Sequence, residues 1–287
     1  MTIVLETRVT RRDGIAYAYS LPHSRYRERW EDEAAENHVR SAIANGPGGN
    51  TAPETLTAKV APLWSRFPAG QHVGTVLDVG AGYGRIDLYL ARERQLTCDT
   101  LCAVDISATM LERLLEYRTR FDAFPDADVQ AICASADDLP IEDGSVDLAV
   151  SSAVFLHMGK SFVARAVREI ARVLRPGGAF VFDGCFPNTL NPANWPPRLK
   201  PPKLRNPNAL KYWRRGEVAR LLAESGLAER AGGFRIEPTS YALLPKTLGP
   251  VSIPLARRLN RALGTPASLQ QVLAVSFSAY SPKAIAS

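Results

Sequence analysis

Between residues 75 and 184 the chain repeats one pattern, in which short apolar stretches alternate with helical segments of ten or more residues. Apolar strands separated by helices are typical of βαβ units, whose helices cover both faces of a parallel sheet. The pattern therefore predicts a doubly wound α/β fold. Strands are predicted at 75–80, 100–105, 128–134, 145–152 and 179–184, and helices at 85–94, 108–121 and 161–174.

The flanking segments divide the chain into three predicted parts. Residues 1–72 are predicted to form an N-terminal helical lid, 73–186 the core, and 187–287 a proline-rich connection followed by a basic C-terminal part that completes the sheet. Residues 187–207 contain seven prolines, which excludes a continuous helix or a central strand there. Outside the core we expect helices at 24–43, 53–67, 214–225 and 255–263, and strands at 227–236 and 271–280, which raise the sheet to seven mostly parallel strands.

Composition narrows the class of protein. The 287 residues are 46% hydrophobic and 22% charged, which suits a packed globular core and not intrinsic disorder. The four cysteines include no CxxC pair and stand apart from histidine clusters, so neither a disulfide framework nor a metal site is predicted. Because no run approaches ~18 apolar residues, we expect a reduced, cytoplasmic protein without a transmembrane segment.

A glycine-rich turn, VLDVGAGYGR at residues 76–85, joins the first core strand to the first core helix. Glycines permit positive φ and a close approach of ligand to backbone, and the helix start offers free N–H groups. This predicts a cofactor that contains a nucleoside. The dinucleotide pattern GxGxxG would need glycine at position 85, where Arg85 stands, and Asp78 would repel a pyrophosphate.

With its context, DVGAGYG resembles the first motif of class I S-adenosylmethionine-dependent methyltransferases, an acidic residue followed by xGxGxG. The resemblance extends through Asp105, through SADDLPIEDGSVDLAVSSAVFLHM and through EIARVLRPGGAFVFD, and so covers residues 70–185. It implies a methyltransferase that uses S-adenosylmethionine and transfers the methyl group to an oxygen or nitrogen of a small molecule.

The resemblance also assigns roles to individual residues. The backbone of Gly80, Ala81 and Gly82 would contact the methionine part of the cofactor, and Asp78 would accept from its ammonium group. Asp105 would accept from both ribose hydroxyls, because a carboxylate offers two acceptors to a vicinal diol.

The remaining cofactor contacts are expected at three further strand ends. Ile106 would pack on the adenine. The family has an Asp-Ala pair after the third strand, where this chain has Ser135-Ala136. The adenine contact is therefore expected from the short segment of Ser135, Ala136 and Asp137 as a whole, and not from one particular atom. Ser151 and Ser152 are expected beside the sulfonium end, at the carboxyl edge of the sheet.

Two residues are candidates for catalysis, for which a base is needed only when the acceptor is poorly ionised. His157 follows the fourth strand, and an imidazole group can take a proton near neutral pH, although helix capping and cofactor packing compete with this role. Tyr19 belongs to the N-terminal segment, which in this family often folds back over the site, and core packing is its alternative.

The charge of the C-terminal part bears on the partner. Residues 188–287 carry 15 Lys and Arg against 4 Asp and Glu, which favours an anionic partner. A small acidic, phosphorylated or carrier-bound acceptor fits this charge, while RNA and a lipid-linked acceptor are alternatives, and a non-catalytic methyltransferase-like scaffold is a third. The oligomeric state is left open by the sequence.

Overall fold

The structure is a computed structural model that describes residues 3–22, 27–28, 31, 70–93, 95–185, 213–227, 235–241 and 274–282. Its strands are β1 (Val9–Arg12), β2 (Ile15–Ala18), β3 (His72–Val79), β4 (Thr97–Asp105), β5 (Asp128–Cys133), β6 (Val146–Ser151), β7 (Leu174–Cys185), β8 (Arg235–Tyr241) and β9 (Ala274–Pro282). Its helices are α1 (Arg85–Glu93), α2 (Ala108–Phe121), α3 (Lys160–Val173) and α4 (Arg215–Glu224).

The described strands form one sheet in the order β1-β2-β5-β4-β3-β6-β7-β9-β8. Strands β2, β5, β4, β3, β6 and β7 run parallel to one another, while β1, β9 and β8 pair antiparallel with their neighbours. The seven neighbouring strands from β5 to β8 in this order form the predicted doubly wound, mostly parallel sheet, which is therefore confirmed. The central position of β3 places the glycine turn at the middle of the carboxyl edge.

An N-terminal hairpin of β1 and β2 extends this sheet, although residues 1–72 were predicted to form a helical lid with its first helix at residue 24. Asp13 and Gly14 form its turn with φ of 52° and 80°, the left-handed conformation that two-residue hairpins require. Strand β2 then lies parallel to β5, with Tyr17 opposite Cys133. The predicted helices at 24–43 and 53–67 lie outside the described residues except for Arg27, Glu28 and Glu31.

Two other predicted elements differ in the structure. Of the strand expected at 227–236, residues 228–234 lie outside the described residues, and Arg235 and Ile236 begin β8. Leu227 is buried, and its N–H instead closes the end of α4 on the carbonyl of Leu222. Residues 176–178, which separate the predicted helix at 161–174 from the predicted strand at 179–184, lie inside β7, where the register against β6 shifts. That shift is a bulge that absorbs the extra residues of β7. The predicted helix at 255–263 lies outside the described residues.

Alternation along β3 decides which side chains face which helix. Leu77 and Val79 belong to the apolar cluster that contains the inner face of α3, whereas Val76 packs with residues of α1. Successive strand residues point to opposite faces, so Asp78 shares the α1 face with Val76. A carboxyl group thus lies between the centre of the sheet and the first turn of α1.

Candidate functional site

The glycine turn is fastened to the end of the neighbouring strand. The N–H groups of Gly80 and Ala81 both donate to the carbonyl of Val104, at 2.7 and 3.0 Å. Gly80 has φ of 75°, and a Cβ atom there would overlap the side chain of Val154. Gly82 has φ of 56°, and a Cβ atom there would meet nothing within 4 Å. The turn therefore has no free space on the side-chain side of Gly80, which we call its closed side, and has free space on the side-chain side of Gly82, which we call its open side.

Asp105 connects this turn to α2. Its Oδ2 accepts the N–H of Gly82 at 2.9 Å, and its Oδ1 accepts the N–H of Ser107 at 2.9 Å. Ser107 in turn caps α2 by accepting the N–H of Met110 at 3.3 Å. A carboxylate offers about four lone-pair sites, so both Asp105 oxygens can accept a further donor. Asp105 is thus placed both to order the turn and to bind a diol.

The segment expected to contact adenine is held by its own side chains. Ser135 donates to Oδ1 of Asp137 at 2.5 Å, and Asp137 Oδ2 accepts from Nε of Arg165 on α3 at 2.9 Å. Ala136 lies between them, half-buried. Ile106 is also half-buried, and its carbonyl accepts the thiol of Cys133 at 3.5 Å. The structure therefore brings Ile106 and the 135–137 segment together at the ends of β4 and β5.

Ser151 and Ser152 have different surroundings. The buried Ser151 donates to the carbonyl of Val79 at 2.9 Å, which ties the ends of β6 and β3 together. Ser152 donates to Oδ2 of Asp183 at 2.8 Å and accepts from Nη2 of Arg85 at 3.0 Å. The chain Arg85–Ser152–Asp183 thus links the start of α1 to the ends of β6 and β7.

Asp183 also fixes an unusual backbone conformation. Its Oδ1 accepts the N–H of Ala153 at 2.7 Å, and Ala153 has φ of 63°, a conformation that costs alanine ~1–2 kcal/mol. The buried carboxylate therefore satisfies two donors at the point where the chain leaves β6.

We expect Asp183→Asn to lower the free energy of unfolding by roughly 2 kcal/mol, because one of the two buried donors to the carboxylate loses its acceptor. Urea denaturation measures this change. The matched control is Asp143→Asn, whose carboxyl group is largely exposed and pairs with Arg172, and its expected loss is below about 1 kcal/mol. Equal losses in the two variants would contradict the role of Asp183 in holding Ala153.

A pair of buried carboxyl groups lies beneath the turn. Asp78 and Asp87, the third residue of α1, are 1% and 3% exposed, and none of their four oxygens has a hydrogen-bond donor among the described residues. Burial and the neighbouring Asp87 raise the pKa of Asp78 well above its usual value, and burial raises the pKa of Asp87 to about 7. Burial thus favours the protonated form of these carboxyl groups.

The two candidates for catalysis lie far apart. His157 is exposed in the turn between β6 and α3, at the carboxyl edge. Tyr19 is 70% exposed and directly follows β2. Four strand spacings separate β2 from β6, or about 19 Å, so the structure does not bring Tyr19 and His157 together. Catalytic roles for either residue stay predictions.

Sequence reasoning missed Asp87 and the role of Arg85. Asp87 stands at helical spacing with the buried Leu90, and a carboxylate on the apolar face of a helix was the available signal. The Arg85–Ser152 contact had no local signal in the sequence, because 67 residues separate the two partners. Of the 15 Lys and Arg in residues 188–287, the described part of the chain contains Arg214, Arg215 and Arg220, which are exposed in or beside α4, and Arg235 at the start of β8.

Comparison with known proteins identifies the family that the central part of the chain matches. Residues 77–182 match the protein family described as a methyltransferase domain, a range that begins within β3 and ends within β7. These residues are a class I methyltransferase domain. The resemblance read from the glycine motif and the three motifs after it is thereby confirmed for residues 77–182.

Two proteins of similar sequence illustrate the relationship. Dimethylglycine N-methyltransferase of Parasynechococcus marenigrum (strain WH8102) is 33% identical over 180 residues, which cover 61% of this chain and 59% of that protein. Phosphoethanolamine N-methyltransferase 1 of Triticum aestivum is 27% identical over 158 residues, or 55% of this chain and 30% of that protein. The match therefore spans little more than half of the first relative and less of the second.

A solved structure shares the fold of the domain. Phosphoethanolamine N-methyltransferase 2 of Haemonchus contortus, in complex with S-adenosyl-L-methionine, superposes with a TM-score of 0.60 at 16% identity. The superposition covers 94% of this chain and 62% of that one.

The residues of the turn fit S-adenosylmethionine. The unpaired buried oxygens of Asp78 and Asp87 suit its positive charge, the open face of Gly82 leaves room beside the backbone, and Asp105 suits its ribose hydroxyls. Within the described residues, no three His, Cys, Asp or Glu side chains are grouped to hold a metal ion. No helix of the described part is long and apolar enough to cross a membrane.

Proposed function

We propose that this protein transfers a methyl group from S-adenosylmethionine to the nitrogen of a small amine that also carries an anionic group. The observation that carries the proposal is the Arg85–Ser152–Asp183 chain, which brings a guanidinium group to the carboxyl edge beside the glycine turn. The relatives' names support the chemistry, since dimethylglycine and phosphoethanolamine each join an amine to a carboxylate or phosphate. A guanidinium group binds both kinds of anion.

The residues of the chain act in this proposal by binding and alignment. S-adenosylmethionine, when bound, supplies an electrophilic methyl group on a positively charged sulfur. Asp78 binds the ammonium group of the cofactor and Asp105 binds its ribose hydroxyls, while Arg85 orients the anionic group of the acceptor. A tertiary amine that enters as the free base has no proton to lose, so such an acceptor needs no general base, and His157 is not required for it.

The test is a methyl-transfer assay with the purified full chain. We expect formation of S-adenosylhomocysteine and a product heavier by one methyl group with an acceptor drawn from glycine, sarcosine, dimethylglycine and phosphoethanolamine. Ethanolamine, which lacks the anion, should react at least tenfold more slowly if the anion contributes about 1.4 kcal/mol or more of binding. Mass spectrometry of the product identifies the methylated atom.

Two variants separate the parts of the proposal. Asp105→Ala reports the background without bound cofactor, and Arg85→Gln should raise KM for the acidic amine while leaving the cofactor dissociation constant within a few-fold. A protein that binds the cofactor but methylates none of these amines above the Asp105→Ala background would overturn the proposed acceptor class. Methylation of ethanolamine as fast as phosphoethanolamine would remove the role given to Arg85.

A further inference from the structure

Asp87 is not part of the motif that identified the domain, yet its buried carboxyl group lies next to the buried carboxyl group of Asp78. The strand residue Asp78 points to the face that α1 covers, and Asp87 lies in the first turn of α1 on the side turned to the sheet. Each group affects the titration of the other. Two carboxylates cannot donate to each other, and a hydrogen bond between them exists only when one of them carries a proton.

The surroundings of the pair do not neutralise two negative charges. Among the described residues, the other titratable or charged groups around it are Asp105 on β4, Tyr83 in the turn, Arg85 at the start of α1, Cys98 on β4 and Arg118 on α2. Arg85 favours the ionised form of Asp78, whereas Asp105 opposes it. Burial raises the pKa of the Cys98 thiol to about 12 and also raises the pKa of Tyr83, so neither group titrates near neutrality.

We propose that Asp87 is a second carboxyl group of the cofactor site, that it shares one proton with Asp78 in the cofactor-free protein, and that binding of the cationic cofactor releases this proton to solvent. The ammonium group of the cofactor then takes the place of the proton as the positive partner of the two carboxylates. The inference rests on cofactor binding at this turn, but it is independent of which acceptor the protein methylates.

The direction of the pH dependence follows from the raised pKa values. Below neutral pH the pair holds its proton, and the cofactor must expel it, so affinity falls as pH decreases below about 7. One linked proton changes the dissociation constant on the order of tenfold between pH 7.0 and 5.5. The α-amino group of the ligand has a pKa near ~8 and stays charged over this range.

The experiment is calorimetric titration of the full chain with S-adenosylhomocysteine at pH 6.0, in phosphate and in imidazole, whose ionisation enthalpies differ. The difference in observed enthalpy gives the number of protons released, and we expect close to one per ligand bound. Asp87→Asn, which is nearly isosteric with the protonated group, should release less than half as much. Asp99→Asn, an exposed carboxyl on β4, should release as much as the unaltered protein.

Thermal unfolding provides a second readout that needs no ligand. An unfolded aspartate has a pKa near ~4, so between pH 4 and 7 the folded protein holds a proton that the unfolded chain has lost, and its stability falls as pH rises. We expect the loss of Tm across this range to be smaller in Asp87→Asn than in Asp99→Asn.

Two results would overturn the proposal. One is the absence of proton release from the unaltered protein on binding. The other is undiminished release from Asp87→Asn, which is the result expected if Asp87 serves only as a partner, through water, for the buried Nε of Arg118 across the small cavity that both residues line. Because the readout is binding and not turnover, failure of the proposed methyl transfer would leave it unaffected.

Discussion

Replacement of Asp105 by alanine is expected to weaken S-adenosylmethionine binding by a hundredfold or more. The variant removes two acceptors for the ribose hydroxyls, and a hydrogen bond to a charged group is worth about 1.5–3 kcal/mol. It also removes the acceptor for the Gly82 N–H at 2.9 Å, which orders the turn for binding. Calorimetric titration of the purified variant measures the dissociation constant.

Two further variants separate the causes of that loss. Asp105→Asn retains one acceptor oxygen, and we expect an intermediate affinity. Asp99→Ala removes an exposed carboxyl group from the same strand and should leave the dissociation constant within about twofold. An unchanged dissociation constant in Asp105→Ala, with the fold intact by circular dichroism, would show that the ribose contact predicted from the sequence is wrong.

The second large effect is a contrast between two glycines of the same turn. Gly80→Ala is expected to lose about 3 kcal/mol or more of unfolding free energy, because its φ of 75° strains alanine and its Cβ overlaps Val154. Gly82→Ala has a strained φ but open space, so we expect a loss of only ~1–2 kcal/mol. Its methyl group would instead project into the space where the cofactor approaches the backbone.

Urea denaturation and cofactor titration together test this contrast. Gly82→Ala should fold and yet bind the cofactor at least tenfold more weakly. The double variant Gly80→Ala with Val154→Ala should recover part of the stability that Gly80→Ala loses, because most of the overlapping atoms are then absent. Equal stability losses in the two single variants, or unimpaired binding by Gly82→Ala, would contradict the assignment of a closed and an open side to the turn.

Much of the fold followed from local patterns along the chain. Alternating apolar strands and helices predicted the parallel core, and the observed β3, β4, β5 and β6 match the predicted strands closely. The N-terminal hairpin was also within reach, since Asp13-Gly14 is a strong turn signal for two-residue loops. The bulge in β7 was not, because it arises from the register against β6.

The candidate site divides in the same way. Asp78, Gly80, Gly82 and Asp105 were identified from the sequence because the motif and its glycine conformations lie within one strand and one turn, or at the end of the next strand. Ser135 and Asp137 were both candidates for one contact, and the structure shows them hydrogen-bonded to each other. The distance between Tyr19 and His157 depended on strand order, and the hairpin that carries Tyr19 to the far side of β5 was not anticipated.

Local sequence patterns predicted the fold class and the glycine turn, since backbone conformation and side-chain periodicity are properties of short stretches of chain, and the family resemblance of the same stretches implied the cofactor. Only the tertiary structure placed Asp87 against Asp78, joined Arg85 to Ser152 and joined Ser152 to Asp183. The last two contacts span 67 and 31 residues and exist because β6 lies between β3 and β7 in the sheet. The raised pKa values of Asp78 and Asp87 also depend on tertiary structure, because burial removes both carboxyl groups from water and disfavours their charged forms.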